Sequence, residues 1–132
     1  MTPDTSVVIA RAAGWHGRHA DARRAVEDVD DLVAHLALEA YSVLTRLPPE
    51  QRVAPSVVGE HLRVEYAGER LILPADATRG LVDRLAELRV VGGSVYDALV
   101  AATAAAHGRT LLTFDRRAAD TYARMGARVE FL

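Results

Sequence analysis

Residues 109–114, RTLLTF, are an apolar run that ends abruptly in Asp115 and a pair of arginines. Leu111 and Leu112 are neighbours and both apolar, so in an extended chain neither face of the segment suits water. A strand of this kind belongs inside a parallel sheet with helices on both faces. Its flanks agree. SVYDALVAATAAAHG reads as a helix capped at Gly108, DRRAADTYARMG as a helix closed at Gly126, and ARVEFL as a final strand. The same alternation recurs upstream. A short strand at residues 1–4 leads into a helix over Thr5 to Ala13, with Pro3 suited only to an edge or an end of a ladder. GWHGRHAD is a loop, followed by a helix over 20–29. A strand near residues 32–35 runs into a helix over 36–47, which Pro48 and Pro49 stop. Pro55 opens a helix to about Glu65, residues 69–73 are a strand or an extended linker, and Leu81, Leu85 and Leu88 line one face of a helix from Asp76 to Leu88. Strands separated by helices of this length predict a three-layer α/β/α sandwich with a mainly parallel central sheet. At 132 residues, one domain spanning 1–132 accounts for the chain.

Composition excludes several classes. No apolar run reaches the ~18 residues that a membrane span needs. The N-terminus has an acid at position 4 and no basic region before its apolar stretch, unlike a signal peptide. Cysteine is absent, so disulfides and thiolate zinc sites are ruled out. These features lead to the expectation of a soluble, cytoplasmic protein. The formal charge of -2 gives no overall basic field, although all 16 basic residues are arginine, whose planar fork suits phosphate.

Four acids share an address in this scheme. Ligands of open α/β sheets gather at the carboxyl ends of the strands. Asp4 and Asp115 each follow a strand and precede a helix. Glu39 is expected in the first turn of the helix after the 32–35 strand, and Asp97 in the first turn of the helix before the 111–114 strand. Each has a plainer reading. Asp4 and Asp115 stand where N-caps belong. Ser94 and Asp97 have capping-box spacing, and Glu39 lies on the shoulder of the stripe Leu36, Ala40, Val43, Leu47. Jointly, however, four carboxylates at one place repel and resist ionisation. A divalent cation removes that conflict, and all-oxygen ligands favour Mg²⁺ or Mn²⁺.

PDTSVVIA, ALEAYSVLTRLP and VYDALVAATAAAHGRTLLTFDRRAADTYARMGARVEFL, in this order, resemble the PIN-domain ribonucleases of VapC-type toxins. The resemblance implies a metal site at Asp4, Glu39, Asp97 and Asp115. It also implies supporting hydroxyls at Thr113 and Ser6, which would hold a carboxylate or water. It further implies Mg²⁺- or Mn²⁺-dependent hydrolysis of RNA that leaves a 5′-phosphate. The implied partners are a small cognate VapB-like antitoxin and a second copy of the chain in a homodimer. The antitoxin would lie in a groove near the helices of residues 20–29 and 36–65. A non-catalytic PIN-like module that binds RNA or protein is the alternative. A receiver-type signalling domain would need a lysine near the final strand, and the chain has none.

Other residues carry less. Asp120 reads as a solvated helix residue outside the four-acid set. His16 and His19 are loop polar residues rather than metal ligands, and His35, His61 and His107 suggest no triad. No serine has a nucleophile-elbow context, and Gly92-Gly93 reads as a turn. Trp15 either packs against its loop or stacks on a base. Arg116 and Arg117 oppose the dipole of the helix they begin, yet beside an acidic metal site they would suit a phosphate backbone.

Overall fold

The computed structural model describes residues 1–132. Strands β1 (Thr2–Pro3), β4 (Thr110–Thr113) and β5 (Arg128–Phe131) form one parallel sheet in the order β1-β4-β5. Strands β2 (Leu32–Val33) and β3 (Arg70–Leu71) form a second parallel ladder, with β2 packed beside β1. Seven helices complete the chain: α1 (Thr5–Ala12), α2 (His19–Ala25), α3 (Ala34–Thr45), α4 (Pro55–Glu65), α5 (Ala75–Glu87), α6 (Ser94–Ala106) and α7 (Ala119–Arg124). None is long and apolar enough to cross a membrane.

The break between the two ladders has a local cause. The Asp4 N–H donates to the Leu112 carbonyl at 2.9 Å, so by strand alternation the nitrogen of Pro3 faces away from β4, towards β2. Proline has no hydrogen to donate there. Across this gap the Thr2 hydroxyl instead donates to the Asp31 carbonyl at 3.2 Å.

The consecutive leucines of β4 enter different cores. Leu111 joins the larger cluster, with Leu36 and Ala40 of α3, Leu62 of α4, Ala98 and Ala101 of α6 and Tyr122 of α7. Leu112 joins Val7 and Ala10 of α1 and Ala22 of α2 on the other face. The helix-covered, three-layer α/β arrangement read from the sequence is therefore the one observed.

Local boundaries differ in informative ways. Helix α2 ends at Ala25, not 29, because Glu27, Asp28, Asp30 and Asp31 would place negative charge on its C-terminal dipole. Helix α3 begins at Ala34, directly after the two-residue β2, so Glu39 sits in the second turn rather than the first. The helix expected from Asp115 is split into a 3-10 turn, Arg116–Ala118, and α7, because the Asp115 side chain accepts from the Arg117 N–H at 2.9 Å and tightens the first turn. Ser94 is inside α6, with Gly93 at the N-cap, so the expected capping box is not made.

Candidate active site

All pairings are parallel, so β1 and β4 deliver their following residues to one edge. Pro3 lies opposite Leu112, which brings Asp4 level with Thr113. The Asp4 carboxylate is 2% exposed and accepts four hydrogen bonds. The Ser6 hydroxyl donates to Oδ1 at 2.5 Å and the Val7 N–H to the same oxygen at 3.2 Å. The Thr113 hydroxyl and the Tyr122 hydroxyl, the latter at 2.9 Å, donate to Oδ2. Asp4 is thus the N-cap of α1 and a site carboxylate at once. Both small hydroxyls are themselves pinned, Ser6 Oγ accepting from the Phe114 N–H at 3.0 Å and Thr113 Oγ1 from the Asp115 N–H at 2.8 Å. Burial, and then the Asp4 charge, push the Tyr122 hydroxyl far above its ordinary pKa, so it stays a donor.

Asp97, in the first turn of α6, registers its surroundings most directly. Its carboxyl is pushed up to about 6, first by burial, then by the charges of Glu39, Asp115 and Asp4. Helix α3 approaches this point through His35, which stacks on Tyr96 at 5.4 Å between centroids with rings 2° apart. Glu39, half-buried one turn beyond His35, lies 3.6 Å from its Nε2. Asp115 is held differently. Arg117 donates to it from Nε at 3.1 Å and from its backbone N–H, and these bonds, the side-chain one first, keep its carboxyl below the usual range.

The structure therefore brings Asp4, Glu39, Asp97 and Asp115 into one electrostatic neighbourhood. As the side chains stand, no three acidic or imidazole groups reach the spacing of an ion's ligands. Three of the four acids lean on protein partners instead, Asp4 on hydroxyls, Glu39 beside His35 and Asp115 on Arg117, while Asp97 does not. The donor set still fits a hard divalent cation, because its oxygens are carboxylate oxygens and their mutual repulsion at Asp97 is only partly offset by Arg117. The Arg117 side chain is almost wholly exposed, so a surface rotation frees Asp115 from its guanidinium while the backbone N–H of Arg117 stays bonded to Oδ1.

The model of the PIN domain family matches residues 1–124. Ribonuclease VapC40 of Mycobacterium tuberculosis (strain CDC 1551 / Oshkosh) is 49% identical over 132 residues, covering 100% of this chain and 98% of the relative. Ribonuclease VapC27 of Mycobacterium tuberculosis (strain ATCC 25618 / H37Rv) is 41% identical over 134 residues, covering 98% and 94%. The chain belongs to the PIN-domain family, within its VapC type.

In this PIN domain, Tyr122 is a residue of the candidate site that the sequence reading does not include. It stands seven positions after Asp115 on a helix rich in charged residues, and nothing local marks its hydroxyl as aimed at Asp4. Asp120 is exposed and paired with Arg124 at 2.9 Å. His19 begins α2 rather than lying in the loop and bonds the Ala10 carbonyl at 2.9 Å through Nδ1. Trp15 does not pack inside; it is 49% exposed, tilted against His16. Arg116 lies over the Phe131 ring at 5.0 Å.

Proposed function

We propose that this chain is a metal-dependent endoribonuclease that acts as the toxin of a toxin–antitoxin pair. The observation that carries the reading is the convergence of Glu39, Asp115 and Asp4 on Asp97, whose carboxyl is pushed up to about 6 by burial first and then by these three charges. The names of the VapC relatives support RNA as substrate. Asp4, Glu39, Asp97 and Asp115 would hold Mg²⁺ or Mn²⁺. When bound, the ion supplies a water acidic enough to attack at neutral pH and positive charge for the phosphoryl oxygens. The chain's own residues do the rest. Ser6, Thr113 and Tyr122 hold the Asp4 carboxylate in one orientation. Arg117 gives up Asp115 and turns to the substrate phosphate, exchanging one anionic partner for another.

An acidic pocket of this kind is also a receptor for an inserted arginine, which makes bidentate bonds to carboxylates and competes with a cation. A small VapB-like antitoxin that delivers such a residue would silence the enzyme, and the toxin would act as a homodimer. The test has two arms. Purified chain should cleave single-stranded RNA with Mn²⁺ and not after chelation, with Asp4→Asn, Asp97→Asn and Asp115→Asn each losing at least ~100-fold. Expression alone should arrest growth, and the small open reading frame beside its gene should relieve the arrest. Cutting by Asp97→Asn at the wild-type rate would eliminate the four-acid site. Harmless expression of the folded wild type would eliminate the toxin role but leave the nuclease.

A further inference from the structure

Beside Asp115 a cleft of about 560 Å³ opens between α1, the loop after it and the 3-10 turn. Its apolar wall is Ile9, Val43 and Phe114, all half-buried, and its rim carries Arg116 and Arg117, both exposed. His16 closes one side. This combination of an apolar slot, a polar ring and two guanidinium groups is continuous with the acids through Asp115, and it matches the parts of one nucleotide. A base needs a flat apolar surface, and the phosphate beside it needs cations. The Phe114 ring already carries a planar group, the Arg18 guanidinium 4.1 Å above it. His16 has a defined tautomer. The Arg18 N–H donates to its Nδ1 at 3.1 Å, so in the neutral ring Nε2 carries the proton and is a donor.

We propose that this cleft is the subsite for the nucleotide adjoining the scissile phosphate of single-stranded RNA. Ile9, Val43 and Phe114 receive the base, the Nε2–H of His16 selects bases that present an acceptor, and Arg116 and Arg117 hold the flanking phosphate. The inference rests on the ribonuclease reading and adds the residues that choose where the strand is cut. His16 and Arg116 are positioning residues, since neither touches the reacting atoms.

The experiment measures steady-state cleavage of short unstructured RNAs with Mn²⁺, together with fluorescence anisotropy of the same RNAs on Asp97→Asn protein, which binds without cutting. His16→Ala should raise KM about tenfold, leave kcat within about twofold and change which bond is preferred. His16→Gln, which retains a donor, should restore part of that preference. Arg116→Ala should raise KM alike for all sequences and lower the salt dependence by about one released ion. Unchanged KM and bond preference in folded His16→Ala protein would overturn the subsite, as would an effect confined to binding a protein partner. If the wild type cuts no RNA, the ribonuclease reading fails on its own. Anisotropy then decides the cleft: weaker binding on adding His16→Ala or Arg116→Ala keeps it as an RNA site, and undiminished binding removes it.

Discussion

Asp4 illustrates how a buried carboxylate finds partners. A carboxylate at 2% exposure is costly unless donors replace its water, and Asp4 has four. The Tyr122 hydroxyl is the donor that comes from farthest away in sequence, and its ring is packed in the main core, so phenylalanine can fill the same space. Tyr122→Phe should therefore fold but lose ~1.5–3 kcal/mol in urea denaturation, the range for a hydrogen bond to a charged group. With Asp4 less firmly oriented, the Mn²⁺ concentration giving half-maximal cleavage should rise more than kcat falls. A variant as stable as wild type, with the same Mn²⁺ response, would show that Tyr122 does not support Asp4.

Strands are held together at the end of the sheet opposite the acids. Asp31 precedes β2, Glu69 precedes β3 and Arg109 precedes β4. The Glu69 N–H donates to Asp31 Oδ1 at 2.8 Å, Arg109 Nε donates to Oδ2 at 2.8 Å, and Arg109 Nη2 lies 2.7 Å from Oδ2. Together with the Thr2 bond to the Asp31 carbonyl, this cluster spans the gap that Pro3 leaves between the ladders. It also explains Gly68, where a Cβ would come within 2.7 Å of Asp31 Oδ1. The Glu69 N–H first, and Arg109 after it, hold the Asp31 carboxyl below its ordinary 3.8. Its stabilisation is thus complete above that value and is lost as pH falls through the lower folded-state value. Asp31→Asn should cost ~1.5–3 kcal/mol at pH 7. The gap between wild type and variant, followed by denaturant titration, should close on acidification below 3.8. A gap independent of pH would assign the loss to packing rather than charge.

At the scale of the whole molecule, the clustered acids work against stability. Asp97 has the reverse shift, from 3.8 to about 6. Folding takes up protons in that interval, so the carboxylate's cost is absent below it, grows through it and is complete above about 6. Metal-free Asp97→Asn should be more stable than wild type at pH 7.5, by on the order of 1 kcal/mol once solvent screening is allowed for. The two proteins should converge near pH 4. Mn²⁺ should raise the wild-type melting temperature, by the equivalent of ~2.7 kcal/mol at a hundredfold excess over Kd, and raise that of the variant far less. If the metal-free variant melts with wild type at pH 7.5, the four carboxylates do not repel one another in the folded protein.

By itself the sequence determined what depends on neighbours along the chain. Leu111 and Leu112 required a doubly covered strand, Gly108 with its φ of +64° ended α6, and Pro3 accepted only the end of a ladder. It also put Asp4 and Asp115 at one edge, since parallel strands followed by helices share a direction. The resemblance of its segments to VapC-type ribonucleases already pointed to the family. What only the tertiary structure decided depends on groups far apart in sequence. Tyr122 meets Asp4 across 118 positions, and Asp31 meets Arg109 across 78. Glu39 reaches the site from the second turn of α3 because His35 stacks on Tyr96 of another helix. The fold also turned Asp115 onto Arg117, so the acids share a field without yet sharing an ion's geometry. Side-chain orientation of this kind is set by packing and by competition among partners, and the spacing of residues in one chain does not contain it.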